Sequence, residues 1–252
     1  MKIDLTGKRA LVTGAGRDIG RAIAEALACS GAHVAVNYRM SGESAEAVVQ
    51  RIRAKGGVAV AVQADVTKPD EVERMVQETV RQLGGNLDIL INNAGGLVRR
   101  SSIIDMPEEL WDQVINVNLK SVFLVTKAAL KHFNDGGAIV NVASLAARNG
   151  GGNGAVAYAA AKGGVLSFTR GLAKELARRK IRVNCVSPGL INTTFHDRFT
   201  PQEVRQQVAR ATLAGREGEA WEVASSVVFL ASDLAAYING ESLEINGGLY
   251  FV

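Results

Sequence analysis

Cysteine is scarce in this chain. Cys29 and Cys185 are the only two among 252 residues, too few for a disulfide framework and without the spacing of a metal site. Both are expected as reduced, small core residues, in keeping with a cytoplasmic setting. Prolines number four, and no Pro- or Gly-rich linker divides the sequence, so one domain is expected over residues 1–252. No uninterrupted apolar run approaches the roughly 18 residues of a membrane-spanning helix. The opening "MKIDLTGK" carries Asp4 and lacks the apolar core of a secretion signal. A surplus of one charge is missing too: 29 Lys and Arg against 25 Asp and Glu leave +4. Apart from Arg99/Arg100 and Arg178/Arg179 the basic residues are dispersed, whereas a nucleic-acid surface needs a denser stripe. Neither a nucleic-acid nor a membrane partner is expected.

What the chain has in quantity is apolar residues, at 47%, enough for a sizeable core. Short β-branched runs recur between turn residues at 9–13, 33–38, 58–62, 87–91, 138–142, 181–187 and 242–246. Most are nearly continuous in apolar character, as strands covered on both faces are. Helix-period segments lie between them. In "PDEVERMVQETVRQL" (69–83), Val72, Met75, Val76, Thr79, Val80 and Leu83 share one face, and Pro69 with the acids after it suits a helix start. Seven such alternations predict an α/β fold: a doubly wound, seven-stranded parallel sheet with helices on both faces and ligands at the carboxyl ends of the strands.

The stretch "TGAGRDIG" (13–20) lies between the first strand and a helix starting near Ile19. Its Gly14, Gly16 and Gly20 are spaced G-x-G-x-x-x-G and miss the G-x-G-x-x-G fingerprint. Position speaks for a nucleotide nonetheless, since backbone N–H groups at a helix start attract a pyrophosphate.

With "DV" (65–66), "NNAG" (92–95), "NVNL" (116–119), "VAS" (142–144), "YAAAK" (158–162), "PG" (188–189) and "NGG" (246–248) following in order, the whole chain resembles the short-chain dehydrogenase/reductase family. It is most similar to 3-oxoacyl-[acyl-carrier-protein] reductase-like members, through "VNYR", "YAAAKGG", "RVNCVSPG" and "YINGESLEINGG". The resemblance implies a single-domain Rossmann fold, NAD(P)-dependent carbonyl reduction or alcohol oxidation, and a homotetramer or dimer. It also implies cofactor contacts from Gly14, Gly16, Arg17, Asp18, Ile19, Gly20, Tyr38, Arg39, Asp65, Val66, Asn92, Ala94, Gly95, Tyr158, Lys162, Pro188, Gly189, Ile191 and Thr193. Among these, Asp65 is expected to meet the adenine with its side chain, Val66 through its backbone, and Thr193 the nicotinamide carboxamide. Asn92 is expected to brace the central sheet. Three departures stand out: Asp18 replaces a glycine of the usual loop and is expected to turn its carboxylate outward. The segment 144–158 is glycine-rich and one residue longer, and "GLVRR" follows "NNAG".

Tyr158 and Lys162, four apart on a helix, share a face. A phenol ordinarily titrates at about 10, and a nearby ammonium and the positive nicotinamide of the oxidised cofactor favour the phenolate. Tyr158 is thus expected as general acid in reduction and general base in oxidation, with a lowered pKa. Ser144 is expected to hold the substrate oxygen. By resemblance Lys162 grips the nicotinamide ribose and Asn118 holds a water that links Lys162 to solvent. Taken singly, each motif has a plainer reading: Tyr158/Lys162 as a surface pair, Ser144 as a cap, Asn118 as a satisfied buried amide.

An NAD-preferring chain carries an acidic residue near Tyr38; this one presents Arg39, with Arg17 in the glycine loop, and both suit a 2′-phosphate. NADP(H) is therefore expected over NAD(H), with no metal. Residues 191–215 have weak periodicity and read as a mobile lid over a small carbonyl or alcohol substrate. His196 within it reads as a solvated loop residue. The alternatives are a sugar, polyol or other secondary-alcohol dehydrogenase, and a non-catalytic cofactor-binding scaffold.

Overall fold

Side-chain alternation along each strand sets the architecture. The structure is a computed structural model and describes residues 3–252. Seven strands, β1 (Arg9–Val12), β2 (His33–Tyr38), β3 (Ala59–Gln63), β4 (Leu87–Asn92), β5 (Phe133–Val142), β6 (Arg182–Pro188) and β7 (Ser242–Ile245), form one sheet in the order β3-β2-β1-β4-β5-β6-β7. Every pairing is parallel. Ala10, Val12, Val34, Val36, Ile89 and Ile91 point to one face, Leu11, Ala35 and Leu90 to the other, and all are buried. Two buried faces explain why the strands read as near-continuous apolar runs.

Helices α1 (Asp18–Cys29) and α2 (Gly42–Ala54) cover the first face, joined by α10 (Ala220–Ala231). The second is covered by α3 (Pro69–Leu83), α5 (Ser121–Leu130) and α7 (Val156–Glu175). Helix α3 has the bounds its periodicity predicts: Pro69 opens it, Asp70 and Glu71 occupy its first turn, and Gly84 at φ 72° ends it. Of its expected apolar face only Val80 is left partly open. Before α5, α4 (Glu108–Ile115) runs into a π-helical turn, Asn116–Lys120. After β5 come the short α6 (Ala146–Asn149), then α7. Residues 191–215 hold two helices, α8 (Thr194–Phe199) and α9 (Gln202–Ala211), which weak periodicity did not announce.

Two expectations are corrected. Cys29 is exposed near the end of α1, its residue lying off the helix's buried stripe of Ile23, Ala24, Leu27 and Ala28, whereas Cys185 is buried as expected. His196 is half-buried on α8 rather than solvated, with Nδ1 paired to the Thr200 hydroxyl at 3.0 Å. Burial, then the Arg205 charge, pushes its pKa down to about 4, so the ring is neutral near pH 7.

Candidate active site

The glycine loop follows β1 directly, and its shape is held by residues from three strand ends. Gly14 sits at φ 62° and donates its N–H to Asn37 Oδ1 at 3.1 Å. A Cβ on Gly20 would lie 2.4 Å from the Gly14 carbonyl and 2.5 Å from Asn93 Nδ2, so α1 can start this close only with glycine there. A Cβ on Gly16 would meet nothing nearer than 3.6 Å. The Asn93 amide donates to the carbonyls of Thr13 and Gly14 at 2.9 and 3.1 Å. Thr13 Oγ1 in turn accepts the N–H groups of Asn93 and Ala94, both at 3.0 Å. The loop's form is therefore built into the sheet's carboxyl edge.

Across that edge stand the residues suited to proton transfer. Ser144 follows β5, and Tyr158 and Lys162 lie on the first two turns of α7. Lys162 is 3% exposed, and among the described residues its Nζ hydrogen bond is to the Val142 carbonyl, at 2.7 Å. Burial pushes its pKa down to about 8. Its Nζ lies 5.8 Å from the centre of the Tyr158 ring. Gly95 packs against both Lys162 and Asn118: a Cβ there would come within 2.6 Å of Asn118 Oδ1 and 3.2 Å of Lys162 Nζ.

The expected lowering of the Tyr158 pKa is not found in the protein alone. Burial raises it above the usual 10, and a side-chain hydrogen bond with Ser144 pulls the other way without prevailing. The ammonium stands off the ring and is itself easily deprotonated, so the phenol keeps its proton. Ser144 does cap, as its plainer reading has it, by accepting the Ala146 N–H at 3.1 Å. The Asn118 amide is fully engaged, donating to the Gly96 and Val114 carbonyls, both at 2.8 Å, and accepting the Gly96 N–H at 2.9 Å. Its side chain thus braces the loop after β4.

At the ends of β2 and β3 the guanidinium of Arg39 is exposed, with Nη1 3.9 Å from Asp65 Oδ2. Asp65 is engaged before any nucleotide arrives: its Oδ1 accepts the Thr67 N–H and hydroxyl at 2.9 and 2.7 Å. Burial alone would raise the carboxyl's pKa, but the Thr67 bonds and the Arg39 and Lys68 charges outweigh it and hold the pKa low. Asn92 braces the sheet, donating to Thr126 Oγ1 and Asn141 Oδ1 at 3.0 and 2.9 Å. Thr193 is buried and bonds the Ile191 carbonyl at 3.0 Å, and Ile191 is itself core.

Comparison with known proteins now decides the family. A family model described as enoyl-(acyl carrier protein) reductase matches residues 14–250. The chain is 45% identical over 245 residues to the 3-oxoacyl-[acyl-carrier-protein] reductase of Staphylococcus aureus, covering 96% of this chain and 98% of that protein. The chain belongs to the short-chain dehydrogenase/reductase family. Among solved members, a short-chain dehydrogenase/reductase from Serratia marcescens superposes with a TM-score of 0.92 at 37% identity, over 97% of this chain and 98% of that one. A short-chain dehydrogenase from Burkholderia cenocepacia, solved in complex with NADP, gives 0.90 at 40% identity over 97% and 98%.

For a member of this family, the departures from the usual short-chain dehydrogenase/reductase pattern converge on one place. Arg100 of "GLVRR" donates from Nε to the Phe199 carbonyl at 2.9 Å and from Nη1 to the Asn153 carbonyl at 2.7 Å. It thereby ties the unusual segment after β4 to the glycine-rich loop and to α8. The Phe195 ring on α8 lies 5.9 Å from that of Tyr158 and 5.2 Å from that of Phe199. Tyr158, like Val98, Met106 and Trp111, packs against the buried cluster of Leu110, Val114 and Ala157. Sequence reading passed over Thr13, Asn37, Asn93 and Phe195. For the first three a signal existed, a polar residue at an otherwise apolar strand end; for Phe195 none did.

Proposed function

We propose that this oxidoreductase is an NADP(H)-dependent carbonyl reductase acting on a 3-oxoacyl thioester or similar small ketone. The observation that carries the reading is the buried Lys162, its Nζ 5.8 Å from the ring centre of a protonated Tyr158 beside Ser144, all at the carboxyl edge beside the glycine loop. The residues present fit a phosphorylated dinucleotide. Gly14 and Gly20 clear the start of α1, and Arg17 and Arg39 expose their guanidinium groups to a 2′-phosphate. When bound, the nicotinamide supplies the hydride that a carbonyl carbon takes up, or accepts it from an alcohol.

Ser144 holds the substrate oxygen. Tyr158 passes its hydroxyl proton to that oxygen in reduction and takes it back in oxidation. Lys162, with a pKa of about 8, is able to return the proton to Tyr158 near neutral pH, and it would also grip the nicotinamide ribose. Asn118 is a positioning residue that fixes Gly95–Gly96 against Lys162. Residues 191–215 form the lid, with Phe195 and Phe199 as an apolar wall. That wall favours an acyl chain over a polyol, which would leave hydroxyls unpaired against aromatic carbon.

A panel of 3-oxoacyl thioesters, small diketones and sugars, each with NADPH and NADH, tests the reading. NADPH oxidation with the thioesters or ketones, at least about tenfold above NADH in kcat/KM, is expected from one charge-assisted phosphate contact. Comparable rates with both cofactors, or turnover of sugars alone, contradict it.

A further inference from the structure

The departure at Asp18 has a partner of its own. Asp18 sits at φ 50°, in the left-handed region that Asp tolerates better than most residues. Its carboxylate reaches the start of α8, where Oδ2 accepts the Thr194 hydroxyl at 2.6 Å and Oδ1 the Thr194 N–H at 3.2 Å. Residue 18 follows β1 and residue 194 follows β6, and β4 and β5 lie between those strands. Three strand spacings, about 14 Å, separate the roots of the two segments. They meet by arching over the carboxyl ends of β4 and β5, where Asn93, Gly95 and Ser144 stand. The contact is a strap across the crevice.

We infer that Asp18 is a latch that holds the lid on the glycine loop, and that lid closure keeps this carboxylate off the cofactor phosphates. The second half rests on the cofactor reading above; the first does not. In the latched state both oxygens face donors on Thr194, and Arg17 Nε stands 3.7 Å from Oδ2. Once the lid lifts, the Thr194 donors leave and the carboxylate stays on the glycine loop with Arg17 beside it. There it repels a pyrophosphate. A closed lid therefore retains the cofactor and an open lid releases it, which couples the two by charge. Asp18 touches no substrate in this scheme and acts as a positioning residue.

Two substitutions separate the parts. Asp18→Gly keeps the left-handed backbone and removes the carboxylate, while Thr194→Val removes the hydroxyl. In cofactor-free protein each is expected to speed hydrogen exchange of the α8 amides about 5- to 10-fold, the scale of one ordinary hydrogen bond, and to leave the sheet unchanged. Asp18→Asn, which keeps an acceptor oxygen, is expected to restore most of the protection. NADPH release, followed by its fluorescence, is expected to be about 5- to 10-fold faster in Thr194→Val, slower than that in Asp18→Gly, and in the double variant equal to Asp18→Gly. Wild-type exchange in both single variants overturns the latch. Equal acceleration of release by Asp18→Gly and Thr194→Val overturns the charge coupling. A wild type that binds neither NADPH nor NADH overturns the cofactor reading and with it the coupling, and the exchange measurement decides the latch by itself.

Discussion

A buried lysine is an expensive residue to keep, and Lys162 illustrates the expense. Its pKa falls from 10.5 to about 8, which corresponds to about 3 kcal/mol of preference for the neutral form in the fold. Because the folded value lies below the unfolded one, the charged lysine opposes folding below pH 8, and the penalty fades as pH rises toward 10.5. Such a penalty survives where a charge is needed, in the proposed mechanism to return the proton to Tyr158. Neighbouring Cys185, also buried, is pushed up to about 11, so its thiol stays protonated and inert. In the proposed mechanism, reduction needs Tyr158 protonated and Lys162 charged. With NADPH, kcat/KM for ketone reduction is therefore expected to hold on the acid side of pH 8 and to fall above it; a profile flat to pH 10 contradicts this.

At the scale of elements, what was legible in the sequence is what local chemistry determines. Helix α3 carries its own start, stop and apolar stripe, and its predicted bounds coincide with the observed ones. The seven strands were visible because two covered faces leave no polar alternation. Helices α8 and α9 were not, because long-range contacts support them. Arg205 on α9 is buried, held by Asp197, by Glu217 and, at 3.1 Å, by Asn192 Oδ1, and none of these pairs leaves a local pattern. The raised Tyr158 pKa escaped for the same reason, since depth of burial is not written in the spacing of Tyr158 and Lys162. The turn between β1 and α1 offers a sharp comparison. Gly20→Ala places a methyl 2.4 Å from the Gly14 carbonyl, whereas Gly16→Ala meets only ordinary contact at 3.6 Å. Thermal unfolding with and without NADPH is expected to show Gly20→Ala less stable by about 1–3 kcal/mol with weakened NADPH binding, and Gly16→Ala within about 0.5 kcal/mol of wild type. Equal effects of the two contradict the packing account.

Over the whole molecule, the interior is explained by one sheet and its two helical layers, but part of the exterior is not. Phe123 on α5 and Val156 on α7 are exposed, as are Trp221 on α10, Tyr237, Leu243 on β7 and Phe251. Patches of this kind on two faces suit two isologous contacts, and we propose that the chain forms a homotetramer, or a dimer through one patch alone. Light scattering at micromolar concentration is expected to report two or four chains; a monomer contradicts it. No helix among the described residues is long and apolar enough to cross a membrane. Inside, Asn92, Thr126, Asn141 and Thr169 form a buried hydrogen-bonded chain behind the site, joining the sheet to α5 and α7. The fold thus holds Ser144 just after β5 and Tyr158 on α7, with the Phe195 ring of α8 5.9 Å from that of Tyr158. The most direct measurement is single-turnover reduction of the best ketone by Tyr158→Phe with NADPH bound at wild-type affinity. The account predicts a loss of at least about 100-fold in the chemical step, and an undiminished rate in that variant contradicts it.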